Sequence, residues 1–148
     1  MELLRKIDDK HLWLENFKDE NDISPLYFNN QPFVTIVWNN HEGFISTALI
    51  EKLLKMHCKY FLAGGYNSQE WENTVDQIYL SLYPDFNPPE SEHVMTTSHP
   101  NESLEEVVRF ALNNTNFDHH DFKHFLIIQI GSNYSKEEIL KFITSSSS

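Results

Sequence analysis

The chain has 148 residues, with eleven Lys and Arg against 22 Asp and Glu, giving a formal net charge of −11. That length buries roughly 70% of the surface exposed by the unfolded chain, enough for one core without staples, and a 40% hydrophobic, 14% aromatic composition excludes intrinsic disorder. The negative charge repels phosphate backbones and anionic lipid, which argues against nucleic-acid and membrane-surface partners.

Cys58 is the one cysteine, so no intramolecular disulfide forms and a reducing compartment fits. It opens an apolar run, where a buried inert thiol is expected. The N-terminus has no long apolar segment after its basic pair Arg5-Lys6, and no apolar run approaches ~18 residues. A soluble, cytoplasmic protein is the expectation.

In chain order, residues 10–32 carry the weakest pattern. His11-Leu12-Trp13-Leu14 fits a short strand or one turn of helix, and residues 18–30 read as connection. Phe33 to Trp38 is a continuous apolar strand, as expected where helices cover both faces of a parallel sheet. Asn39 to Gly43 breaks it, and Ile50, Leu53, Leu54 and His57 then fall at i, i+3, i+4 and i+7, with Ile45 and Leu49 extending the stripe. Lys59 to Ala63 is a second buried strand ended by Gly64-Gly65.

Asn67 with Glu70, or Ser68 alone, supplies an N-cap for a helix whose apolar face holds Trp71, Val75, Ile78, Tyr79 and Leu82. Pro84 closes it, and residues 87–90 form a rigid polar connection. A third strand, from His93 through Thr97 to His99, precedes the capping-box spacing Ser103 and Glu106 and the stripe Leu104, Val107, Val108 and Ala111. The last unit is the strand His124 to Ile130, broken at Gly131, then a Ser135 and Glu138 box and a helix through Ile143. Residues 145–148 read as a disordered Ser tail.

Strands separated by helices of this length require right-handed crossovers, hence a parallel sheet with helices on both faces. The expected fold is a single three-layer α/β domain over residues 1–144, Rossmann/flavodoxin-like, with a mainly parallel sheet of four strands, or five where residues 11–14 add one at an edge.

In such sheets ligands sit outside the carboxyl ends of the strands. Gly64, Gly65, Thr96, Thr97 and His99 are the candidates there, because small residues, hydroxyls and helix N-termini hold anions. The plainer role of Gly64 and Gly65 is to permit a sharp βα turn, since neither G-x-G-x-x-G nor G-x-x-x-x-G-K-[ST] occurs. Among eight histidines, His120 and His124 stand four apart beside Asp118, His119 and Asp121. His124 begins a strand, however, so the helical spacing that would aim both rings at one ion is lost, and no metal or other cofactor is expected. Ser98 and His99 are adjacent, and adjacent residues of a strand point to opposite faces, which argues against a dyad. A pairing of Ser98 or Thr97 with His41 across neighbouring loops stays open, and no catalytic residue is assigned.

Trp71, Asp76, Glu102, Glu105 and Glu106 have local roles as stripe residue, pairing group and complements to a helix dipole. Together they also suit an acidic, aromatic-edged surface that captures a basic protein.

The run Val94-Met95-Thr96-Thr97 through His99, then Glu102 to Val107 and on to Phe110 and Ala111, resembles an uncharacterised bacterial family, domain of unknown function 7684. Cys58 to Gly64, Trp71 to Asp76 and Ile127 to Ile130 add to the resemblance, which covers about residues 11 to 143. The family often has an aromatic residue where this chain has Ser98, and the clustered His119 and His120 are outside its pattern. The resemblance implies an α/β fold and a bacterial type of origin, and no activity.

The leading expectation is therefore a small non-enzymatic interaction protein, of immunity or defence-accessory type, that engages a basic partner protein. The alternatives are a binding module or enzyme for a small phosphorylated ligand at the strand ends, and a structural subunit that buries aromatics in a homodimer.

Overall fold

The computed structural model describes residues 2–18, 28, 31–83, 85, 87–88, 93–115, 122–131 and 134–146. The elements are β1 (Glu2–Ile7), β2 (Lys10–Phe17), β3 (Phe33–Asn39), α1 (Thr47–Lys55), β4 (Cys58–Gly65), α2 (Ser68–Ser81), β5 (Met95–His99), α3 (Leu104–Asn114), β6 (His124–Ile130) and α4 (Lys136–Ser146). They build an α/β fold with one six-stranded mixed sheet, ordered β1-β2-β6-β3-β4-β5. β1 is antiparallel to β2, and every other pairing is parallel.

The continuous apolar runs become interior strands for the reason that their pattern suggests. β3 is buried at all seven positions, and its side chains alternate between two cores. Val37 joins Leu49, Ile50, Leu53, Phe61, Trp71 and Val75 on the face covered by α1 and α2. Ile36 and Trp38 join Leu62, Leu104, Val107, Ile139 and Ile143 on the face covered by α3 and α4. From β3 the chain steps outward to β4 and β5 through α1 and α2, then returns to β6 through α3 on the other face. Reversing direction and face together keeps both crossovers of one hand.

Caps fix the helix starts. Ser46 Oγ accepts from the Leu49 N–H and Ser103 Oγ from the Glu106 N–H. At α4 the full reciprocal box forms, with Glu138 N–H donating to Ser135 Oγ and Ser135 N–H to Glu138 Oε1. Asn67 departs from the expected cap. Its backbone is left-handed and its side chain makes no capping bond; the amide oxygen instead accepts from the Gly43 N–H at 2.6 Å.

Four further expectations are corrected. The sheet has six strands, not four or five. Residues 11–14 belong to a full strand, β2, which is interior, because β1 takes the edge through an antiparallel hairpin. β1 escaped notice because Leu4 is its one buried residue, so it has no apolar run. His57 lies beyond α1, in the left-handed conformation at φ 75°, where its N–H bonds the Leu54 carbonyl. At the other terminus α4 reaches Ser146, into the stretch read as a tail.

Candidate functional site

Two buried amides, Asn39 and Gln129, and the half-buried Asn40 organise the carboxyl ends of the central strands. Asn39 is fully buried; its Nδ2 donates to the Phe44 and Tyr66 carbonyls and its Oδ1 accepts from the His41 N–H. Asn40 bridges β3 to β6: its N–H bonds the Ile130 carbonyl and its Nδ2 the Gly131 carbonyl. Gln129 ties the end of β6 to Asn16 and to both backbone groups of Tyr134. With their hydrogen-bonding groups engaged by the protein, these amides tie together the ends of β2, β6 and β3.

The glycines of β4 answer to the same packing. A Cβ on Gly64 would lie 2.7 Å from the Trp38 ring, and one on Gly65, at φ +78°, would lie 2.2 Å from the Asn39 carbonyl oxygen. Close approach of neighbouring groups accounts for both positions.

Alternation separates the two threonines. Thr97 pairs in register with Leu62 and His99 with Gly64, so both face the core of α3 and α4. Thr96 and Ser98 face α2, where Thr96 hydrogen-bonds Asp76 and Ser98 Oγ donates to Gln69 Oε1 at 3.2 Å. Gly64, Gly65, Thr96 and Thr97 therefore do not line one cradle.

His99 instead gathers its own set. Thr97 Oγ1 lies 2.8 Å from Nε2, and Glu102 Oε2 lies 2.7 Å from Nδ1. The imidazole is only 6% exposed and the carboxylate 41%, and Phe110 abuts the ring edge-on with centroids 5.0 Å apart. A carboxylate only accepts, so Nδ1 carries the proton when the ring is neutral and Nε2 presents its lone pair to the threonine hydroxyl. Sequence reasoning named Thr97 and His99 as separate candidates for an anion and set Thr97 against His41, so it did not join the threonine to His99. The legible signal was T-x-H on a strand, two residues on one face, with an acid three residues later in the turn.

Charge is distributed unevenly around this set. Between Tyr60 and Phe122 the chain carries eleven Asp and Glu and one cation, Arg109, whereas the remaining residues hold eleven acids and ten Lys and Arg. The described part of the acidic stretch runs from β4, whose Lys59 precedes it, through α2, β5 and α3, that is two of the six strands at one side of the sheet and two helices. Its described carboxylates include Glu70, Glu72 and Asp76 on α2, Glu102 in the turn, and Glu105 and Glu106 in the first turn of α3. Arg109 is held by Glu105 at 3.0 Å. Burial raises the Asp76 carboxyl above its ordinary range and nearby Glu72 adds to the rise, opposed by the Thr96 hydroxyl.

Trp71 stands apart from that surface. It is 0% exposed, and its indole N–H donates to the Phe44 carbonyl at 3.0 Å, so it is a core anchor for α2 and offers nothing to a partner. Cys58 is buried, and desolvation pushes its thiol up to about 12, which suits an inert core residue. Among the described residues no three His, Cys, Asp or Glu side chains converge as a metal set; His119 and His120 lie outside the described residues. Among the described residues no helix is long and apolar enough to cross a membrane.

The chain has an α/β fold with a mainly parallel sheet, and its charge is concentrated in an acidic stretch of sequence from Tyr60 to Phe122. The chain belongs to the family described as Domain of unknown function (DUF7684), which matches residues 15–146. No curated protein and no solved structure matches the chain.

Proposed function

We propose that this protein is a Rossmann/flavodoxin-like interaction domain of immunity or defence-accessory type, whose acidic half engages a basic partner protein. The observation that carries the reading is the segregation of charge, with eleven acids against one cation between Tyr60 and Phe122 and near balance elsewhere. A one-sided field steers an oppositely charged partner and orients it during encounter. It also weighs against the alternatives. A symmetric homodimer through this half would bring like charges together, and a phosphorylated ligand at the end of β5 would meet Glu102, Glu105 and Glu106.

The test is capture of partners from the native host at low salt with three forms of the protein. Replacing Glu70, Glu72, Asp76 and Glu106 by their amides is expected to abolish a salt-sensitive capture. The same change at Glu2, Glu42, Glu51 and Glu137, outside the acidic half, is expected to preserve it. Equal loss from both sets, or no salt-sensitive partner with the unaltered chain, contradicts the reading.

A further inference from the structure

We propose that Thr97, His99 and Glu102 form a nucleophilic relay that hydrolyses acyl esters and thioesters carrying a cationic group. The geometry meets the requirements of an activated hydroxyl: nucleophile and base lie 2.8 Å apart, and base and orienting acid 2.7 Å apart on the opposite ring nitrogen. Thr97 is half-buried and the imidazole of His99 is sheltered, so the base is screened from water and the residue carrying the hydroxyl keeps partial exposure.

The location supports the assignment independently of the distances. β4 sends its chain to α2 on one face of the sheet and β5 sends its chain to α3 on the other. Crevices open at the carboxyl ends of such diverging strands in α/β sheets. The other diverging pair, β3 and β6, is bridged by Asn40, so the proposal places the substrate at the end of β5.

In the first step Thr97 Oγ1 attacks the acyl carbon, and its proton passes to His99 Nε2. Glu102, held on Nδ1, stabilises the imidazolium. The bond from the acyl carbon to the leaving oxygen or sulfur breaks, and the leaving group takes the proton from Nε2. Water then attacks the acyl-threonine and gives one proton to Nε2. That proton returns to Thr97 as the carboxylic acid leaves. The net change is ester plus water to acid plus alcohol or thiol. The cationic preference follows from Glu105 and Glu106 in the first turn of α3, beside a site within the acidic half of the molecule.

A histidine that merely ties β5 to the turn would show the same two bonds and no reactivity, so chemistry separates the two cases. The full chain is treated with a fluorophosphonate and its intact mass and labelled peptide are read. Turnover is measured on acetylthiocholine and on its uncharged isostere, 3,3-dimethylbutyl thioacetate. The unaltered chain and Thr97→Ser are expected to take one phosphonyl adduct on residue 97, and Thr97→Val, which preserves shape, none. His99→Gln and Glu102→Gln are expected to lower kcat by about 10²–10⁴-fold, with the KM for Glu102→Gln unchanged and its thermal midpoint retained. No adduct and no turnover above buffer with the unaltered chain overturns the proposal, as does labelling that persists in Thr97→Val; equal turnover of the two thioesters overturns the cationic class. Partner capture is expected to survive Thr97→Val, so the interaction reading and this inference fail separately.

Discussion

At the residue scale, the positions that carry most constraint are those where one backbone approaches another. Gly65 combines a left-handed φ with an Asn39 carbonyl 2.2 Å from where a Cβ would sit, whereas Gly43, at φ +83°, has nothing within 4 Å. Gly65→Ala is therefore expected to lower unfolding free energy by about 2 kcal/mol or more, and Gly43→Ala by about 1 kcal/mol. Urea denaturation of both variants checks the order, and an equal loss would show that the clash is relieved by movement of β3. His124 supplies the pH dependence. Its Nδ1 accepts from the Trp13 indole N–H at 3.3 Å and its Nε2 pairs with Gln31 Oε1 at 3.2 Å, so the neutral ring uses both nitrogens and a second proton would face a donor. Burial first, and His11 beside it second, lower its pKa below 6.5. The unfolded chain thus binds the proton more readily, and the stability contributed is complete above the unfolded value and lost as pH falls through it toward the folded one. Acidification from about pH 7.5 to about pH 5.5, still above the ordinary carboxylate range, is expected to lower the urea midpoint of the unaltered chain more than that of His124→Gln. Parallel shifts in the two proteins would contradict the assignment.

Elements were legible where local chemistry and tertiary burial agree. β3, β4 and β6 announce themselves because burial on both faces demands uninterrupted apolar runs, and α3 and α4 because Ser103 and Ser135 stand at their starts with glutamates three residues on. Ser103→Ala is expected to remove about 1 kcal/mol of stability, read as a lower thermal midpoint; an unchanged midpoint would mean that packing alone fixes the start of α3. β1 was illegible because an edge strand with one inward residue has no periodic signature. The site was half legible. His99 and Glu102 were singled out separately, one as a ligand for anions and one as a surface acid, and sequence spacing alone did not join them. That join depends on β5 ending at His99 and on the turn at Asn101, in the left-handed conformation at φ 64°, which precedes Glu102. The same alternation that excluded Ser98 from His99 places Thr97 on the same face of β5, within hydrogen-bond reach of Nε2.

At the scale of the whole molecule, the division of charge was readable in the sequence once the stretch from Tyr60 to Phe122 was counted by itself. Its meaning required the topology, because the sheet order places β4 and β5 together at one side and β1 and β2 at the other. A field of this kind acts on association rate more than on dissociation, and salt screens it over about 8–10 Å at physiological ionic strength. The most direct measurement is the association rate constant of the captured partner as a function of ionic strength, for the unaltered chain and for the variant neutralised at Glu70, Glu72, Asp76 and Glu106. The expected result is a steep fall with salt for the unaltered chain and a shallow one for the variant, with dissociation rates little changed. Identical salt slopes for the two would contradict the assignment of the acidic half as the binding face.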